Sequence, residues 1–273
     1  MGIEAFRYDG KRALVVGGAT GMGAAVSKIV SDLGGEVVVM DYADVSFPVA
    51  KAIKVDLRSR EAVDAAIDEC GGPVHALFSC AGIADGPGTM TINFIAHRHI
   101  IDRLVDGGMM PSGSAIALIS SVAGLGWENN LPTIKDFLTS PDFETAQKWV
   151  DAHEGTDNYM FSKQAINAYV GLEAFPLLKR GIRINAILPG PTDTPLARAN
   201  ADTWLTFAAD YREAAGSETL TPEQMGNALA FLCSDAASGV NGITMLVDSG
   251  HVSSAVTDSF PAPMIKMMMG MAT

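Results

Sequence analysis

Two side chains one helical turn apart, in Tyr159-Met160-Phe161-Ser162-Lys163, offer proton-transfer chemistry. The i, i+4 spacing sets a phenol and an ammonium on one helix face. A free phenol titrates near 10, so exchanging its proton near neutrality asks for a shift of about 3 units, or about 4 kcal/mol. A neighbouring ammonium favours the phenolate and supplies part of that shift. The same spacing also describes an ordinary solvated pair, so its meaning depends on what accompanies it.

A second set of residues reads as an anion cradle. Near the N-terminus an apolar run ends in Gly17-Gly18-Ala19-Thr20-Gly21-Met22-Gly23. Glycines permit a tight turn and close backbone approach to a pyrophosphate, and a helix starting there offers free N–H groups and a positive dipole end. Such a turn can also serve conformation alone. Its place between an apolar strand and a helix favours dinucleotide binding by Gly17, Ala19, Thr20, Gly21, Met22 and Gly23. Asp41 closes the next apolar run, Val37-Val38-Val39-Met40, roughly 20 residues further on, where a carboxylate accepts hydrogen bonds from ribose hydroxyls and repels a 2′-phosphate. Tyr42-Ala43-Asp44 brings no Arg or Lys to welcome that phosphate, so NAD(H) is expected over NADP(H). The alternative use of Asp41 is a cap at a strand end.

The elements that must position these groups follow from hydrophobic patterning. Continuous apolar runs at 13–16, 36–40, 52–55, 76–79, 114–120, 183–188 and 244–247 predict strands covered on both faces. Between them, 24–33, 60–69, 94–105 and 159–178 read as helices. Alternating strands and helices with short connections predict an α/β architecture of three layers, a doubly wound parallel sheet. No Pro/Gly/Ser-rich linker divides the 273 residues, so one domain is expected over 1–273.

Composition narrows the partners. The chain is 48% hydrophobic and 18% charged, enough for a substantial core and unlike a disordered chain. Its net charge of −12, without a basic run, argues against nucleic acid. No signal-like or membrane-spanning segment stands out, so a cytoplasmic protein without a membrane partner is expected. Cys70, Cys80 and Cys233 build neither a disulfide framework nor a metal site.

Taken in order, Gly17-x-x-x-Gly21-x-Gly23, Cys80-Ala81-Gly82, Asn93, Ser120-Ser121-Val122-Ala123-Gly124, Tyr159-x-x-x-Lys163 and Pro189-Gly190-Pro191-Thr192-Asp193-Thr194 form a pattern that resembles the short-chain dehydrogenase/reductase family over roughly 11–250. The resemblance implies a Rossmann fold, an NAD-dependent alcohol–ketone oxidoreductase and a homodimer or homotetramer. It implies Tyr159 as general acid/base and Lys163 as the group that lowers the phenol's pKa and holds the nicotinamide ribose. Ser121 would bond the substrate oxygen, with Ser120 behind it, and Asn93 would hold a water in a proton relay through Lys163. Asp56 and Leu57 would meet adenine, and Cys80, Ala81 and Gly82 would face the cofactor. Thr194 would anchor the carboxamide beside Pro189, Gly190 and Thr192. Three departures from the family pattern, Val16, Cys80 and Ser249, remove no catalytic group.

Two apolar segments bear on substrate. The long insertion 127–158 reads as short helices at 132–139 and 141–153, with Ser140 as cap and Pro141 at the first helical position. Its apolar faces suit either a lid or a subunit interface. The loop 195–217, with Leu196, Trp204, Phe207 and Tyr211, would close an apolar pocket. Together with Cys-Ala-Gly and Ser-Ser-Val-Ala, the long insertion is similar to bacterial 3α-hydroxysteroid dehydrogenase/carbonyl reductases, which implies a hydroxysteroid or other bulky apolar alcohol or ketone as substrate. The competing readings are a 3-oxoacyl-carrier-protein reductase, which the acidic net charge disfavours, and a non-catalytic dinucleotide sensor. His97 and His99, at i, i+2, read as a polar helix face and not a metal site. The Met-rich tail 264–271, within a C-terminal stretch 251–273, is expected to fray.

Overall fold

A strand whose every residue is apolar can be covered on both faces, and the central strands here are, while the two edge strands are only partly covered. In a computed structural model, which describes residues 2–271, seven strands form one parallel sheet. They are β1 (Arg12–Val16), β2 (Glu36–Asp41), β3 (Lys51–Lys54), β4 (Ala76–Ser79), β5 (Ala115–Ile119), β6 (Arg183–Pro189) and β7 (Thr244–Val247), in the order β3-β2-β1-β4-β5-β6-β7. Leu14, Val16, Val38, Met40, Leu77 and Ile116 enter one core, and Ala13, Val15, Val37, Val39, Phe78 and Ala117 the other. This two-residue alternation between two apolar layers makes the architecture three-layered and doubly wound. On one face lie α1 (Gly21–Asp32) and α10 (Pro222–Cys233), and on the other α2 (Arg60–Cys70), α3 (Ala96–Asp106) and α6 (Tyr159–Leu178). The strand order reverses beside β1, so the carboxyl ends of β1 and β4 open a crevice where ligands bind in such sheets.

The expected boundaries hold to within a few residues. The helix expected at 94–105 is α3, entered through a π-helical turn, Thr91–Ile95, that the apolar period does not reveal. The run 114–120 narrows to β5, with Ser114 and Ser120 flanking it, and the Ser120 hydroxyl donates to the Lys163 carbonyl at 3.0 Å.

The insertion forms α4 (Leu131–Leu138) and α5 (Phe143–Ala152). The expected cap at Ser140 is corrected. Ser140 is still held by the end of α4, its N–H donating to the Phe137 carbonyl at 3.1 Å, and Asp142 caps α5 by accepting from the Thr145 N–H at 2.7 Å. Pro141 precedes that cap and is not the first helical residue. Ile134, Phe137, Phe143, Ala146 and Val150 are all buried in the sheet's own core. Phe137 is 0% exposed and meets the rings of Phe94, Trp149 and Phe161 at 5.6, 5.1 and 6.2 Å. Phe137→Ala is therefore expected to cost about 3–5 kcal/mol of stability. A urea melt with initial rates on the same sample checks this; a changed KM at unchanged stability would contradict the packing account.

Beyond β7, α11 (His251–Val256) and α12 (Pro263–Met268) continue the fold. The fraying expected of the tail is corrected: Ile265 is 1% exposed and packs with Val122, Val252 and Ala255. The helix ends in a formed cap in which the Gly270 N–H donates to the Met267 carbonyl (3.0 Å) and the Met271 N–H to the Lys266 carbonyl (2.9 Å). Met1, Ala272 and Thr273 lie outside the described residues. Among the described residues no helix is long and apolar enough to cross a membrane.

Candidate active site

The crevice is a cavity of about 640 Å³ running from the glycine-rich turn to Tyr159. At one end Gly17 leaves β1 with φ +84°, and a Cβ there would come within 2.4 Å of the Ala81 backbone. No other residue lets the ends of β1 and β4 approach so closely. Thr20, Gly21, Met22 and Gly23 line the cavity. The amino end of α1 carries no side-chain cap and no acid in its first turn, so its N–H groups and dipole stay available to an anion. Ala19 is not in the wall. Its N–H donates to Asp41 Oδ2 at 2.8 Å, while Asp41 Oδ1 accepts from the Ala43 N–H at 2.8 Å. Two backbone donors thus fix a carboxylate at the mouth of the cavity, fitting the adenosine end of a dinucleotide.

Asp56 and Leu57 lie next to it. The Asp56 carboxylate is already engaged by Arg58, with Nη2 to Oδ2 at 2.8 Å and Nε to Oδ1 at 3.0 Å, which holds it below the usual carboxylate range. Cys80, Ala81 and Gly82 line the middle, and burial keeps the Cys80 thiol protonated. Pro189, Gly190, Thr192 and Thr194 form the opposite side. Thr194 caps the short α7 (Pro195–Ala199), its Oγ1 accepting from the Ala197 N–H at 3.1 Å, and its own O–H is left to donate.

At the far end Tyr159, Ser121 and Lys163 converge. Asn158 caps α6 by accepting from the Phe161 N–H at 2.8 Å, fixing the first turn that carries Tyr159. Ser121 lies within hydrogen-bond reach of the Tyr159 phenol, whereas Ser120 is tied to the back of α6. Lys163 is buried, its Nζ donating to the Ile119 carbonyl at 2.9 Å and standing 5.3 Å from the Tyr159 ring centroid. Burial lowers it to about 8. Burial likewise pushes the Tyr159 phenol up, the Ser121 hydrogen bond draws it partly back and Asp85 adds a smaller push, leaving it at about 12. Asn93 is 0% exposed and its side chain is fully committed. It accepts from the Ile83 N–H (2.8 Å) and donates to the Ile83 carbonyl (3.0 Å) and Ser162 Oγ (3.2 Å).

Several contacts escaped the sequence reading. Asp85 Oδ1 accepts from the Tyr159 N–H at 2.5 Å, and Asp157 accepts from the Met90 N–H at 2.7 Å; both acids stand near glycines and signal loop capping. His97 is 2% exposed, so the polar face expected there is corrected: its Nε2 donates to the Ala81 carbonyl at 3.0 Å, and burial lowers it to about 4. His99 does point elsewhere, to Asp64 Oδ1 at 2.9 Å.

The substrate side is apolar. Trp204, closing α8 (Ala201–Trp204), lies against Tyr159 with centroids 4.8 Å apart, beside Leu196, Phe207, Val122 and Ile92. No residue of 127–158 lines this cavity. The insertion's apolar faces go into the core, and 195–207 and Met268 join Ile92 and Val122 in the walls.

Sheet order, crevice and residue pattern together define a dinucleotide-binding oxidoreductase scaffold. The chain belongs to the short-chain dehydrogenase/reductase family, whose members here are named dehydrogenases and reductases acting on CH–OH groups. The family described as enoyl-(acyl carrier protein) reductase matches residues 145–252. Cis-4-hydroxycyclohexanecarboxylate dehydrogenase of Sinomonas cyclohexanicum is 30% identical over 254 residues, 88% of this chain and 95% of the relative. The 3-alpha-hydroxysteroid dehydrogenase/carbonyl reductase of Comamonas testosteroni is 28% identical over 251 residues, 87% and 95% of the two chains. Among solved structures, the 3-alpha-hydroxysteroid dehydrogenase of Pseudomonas sp. B-0831 complexed with NADH superposes with a TM-score of 0.71 at 22% identity, covering 92% of this chain and 100% of that one.

Proposed function

We propose that this protein is an NAD(H)-dependent oxidoreductase interconverting a bulky, apolar secondary alcohol and its ketone. The observation that carries the reading is the convergence of the Tyr159 phenol, the Ser121 hydroxyl and the Lys163 ammonium at the junction of a phosphate-binding crevice and an apolar pocket. Asp41, held by two backbone donors, supports NAD over NADP. The nearest cation in the wall, Arg58, is already paired with Asp56.

The glycine-rich turn, Asp41 and Thr194 would hold a dinucleotide in the crevice, and its nicotinamide would supply the acceptor or donor of the hydride exchanged with the carbinol carbon. Tyr159 takes the hydroxyl proton in oxidation and returns it in reduction, Ser121 bonds the oxygen on which charge develops, and Lys163 holds the ribose and contributes positive charge. Trp204, Phe207 and Leu196 exclude water and position an apolar ring. The test is to supply NAD with cyclic and hydroxysteroid alcohols and follow NADH absorbance. Cofactor binding without turnover of any of them would favour a dinucleotide sensor.

The proton inventory predicts the pH profile. A phenol at about 12 is protonated at neutrality, so the free protein stands in the form that donates a proton to a ketone. Oxidation requires the deprotonated form, so its kcat/KM is expected to climb between about pH 6 and about pH 9 while reduction levels or falls. Initial rates in both directions over that range check this; a flat oxidation profile would count against Tyr159 as the base.

A further inference from the structure

The mechanism leaves the Met-rich tail unused, yet the fold gives it a defined place. Met268, the last residue of α12, is a wall of the cavity. The helix is fastened from three sides. Ile265 is fully inserted between Val122 and α11, Lys266 pairs with Asp258 while only 15% exposed, and the C-terminal cap closes on Lys266 and Met267. The fourth contact is with the turn that follows Ser121. The main-chain carbonyl of Met268 lies against the α-carbon of Gly126, where a Cβ would come within 1.9 Å of it. Gly126 also has φ +71°, so the position is closed to a side chain on two counts. The outward face, Met264 and Met267, stays exposed, so the helix turns only one row of side chains inward.

We infer that α12 is the adjustable wall of the substrate cavity and that Met268 sets how large an alcohol ring the cavity admits. An unbranched thioether adapts its shape to an irregular apolar surface better than a branched side chain. It is also the one residue of α12 that meets the cavity, whose lining includes Trp204 and Phe207. The inference rests on the secondary-alcohol reading, and it assigns the size limit to this tail instead of the insertion 127–158.

The test compares cyclohexanol with a fused-ring hydroxysteroid. Met268→Trp is expected to lower kcat/KM for the steroid about tenfold or more, with cyclohexanol changed far less. Met268→Ala is expected to shift the ratio the opposite way. Gly126→Ala, which leaves the cavity lining chemically intact but must displace the Met268 carbonyl, is expected to change the same ratio with NADH affinity preserved. A readout independent of turnover is hydrogen exchange in NADH-loaded wild-type protein, where the steroid should slow the amides of 265–271. Turnover with an unchanged steroid-to-cyclohexanol ratio in all three variants would overturn the inference and leave the alcohol reading standing. Slowed exchange without turnover of any alcohol would uphold the wall and sink the alcohol reading. Neither slowed exchange nor turnover would overturn both.

Discussion

Tyr159→Phe is expected to reduce turnover by about 10³-fold or more while NADH still binds. The substitution deletes one oxygen. The ring that packs on Trp204 at 4.8 Å and the N–H that meets Asp85 both remain, so the crevice keeps its shape. What is lost is the phenol O–H at the meeting point of Ser121 and the apolar pocket. Stopped or steady-state rates with fluorescence titration of NADH separate the two effects. Near-normal turnover in the variant would remove Tyr159 from the chemistry, and loss of NADH binding would show that the phenol serves the fold.

The second large effect concerns cofactor choice. Asp41→Ala is expected to shrink the preference for NADH over NADPH by about 10²-fold, since a carboxylate facing a 2′-phosphate costs several kcal/mol. Part of the change will come as weaker NADH binding, because the same carboxylate orders Ala19 and Ala43 through their N–H groups. Measuring kcat/KM for both cofactors distinguishes the causes. An unchanged ratio with both values lowered would mean that Asp41 serves the turn and not discrimination.

Much of the scaffold was legible in the sequence because the sheet is built from uninterrupted apolar runs, and Val37-Val38-Val39-Met40 admits few other readings. The glycine-rich turn, Asp41 and the Tyr159/Lys163 pair were legible too, since each depends on local spacing along one strand end or one helix. Three things were hidden for physical reasons. The cap of α5 fell on Asp142 instead of Ser140 because the end of α4 captured Ser140, and two capping residues two positions apart cannot be ranked from sequence. Where the Lys163 ammonium points is set by the Ile119 carbonyl, which belongs to a distant strand in the sequence. Whether the insertion 127–158 is a lid or an interface stayed open, and the tail's part in the wall was not seen, because apolar periodicity says that a face is covered but not by what. The insertion's Phe137 and Phe143 sank into the core, while a methionine-rich tail with no clear period supplied Met268.

The two adjacent residues Ile119 and Ser120 each exchange a hydrogen bond with Lys163, one receiving from its Nζ and one donating to its carbonyl. The end of β5 and the first turn of α6 are thereby riveted into a single rigid floor, with Asn93 bracing it from below. The roof over that floor, made of short helices and thioethers, is tied largely by pairs at its outer surface, such as Arg198 with Asp193 and Lys266 with Asp258, which hold less firmly than buried bonds. Warming should therefore slacken the roof first, so that discrimination among substrates erodes at temperatures where the chemistry itself still runs.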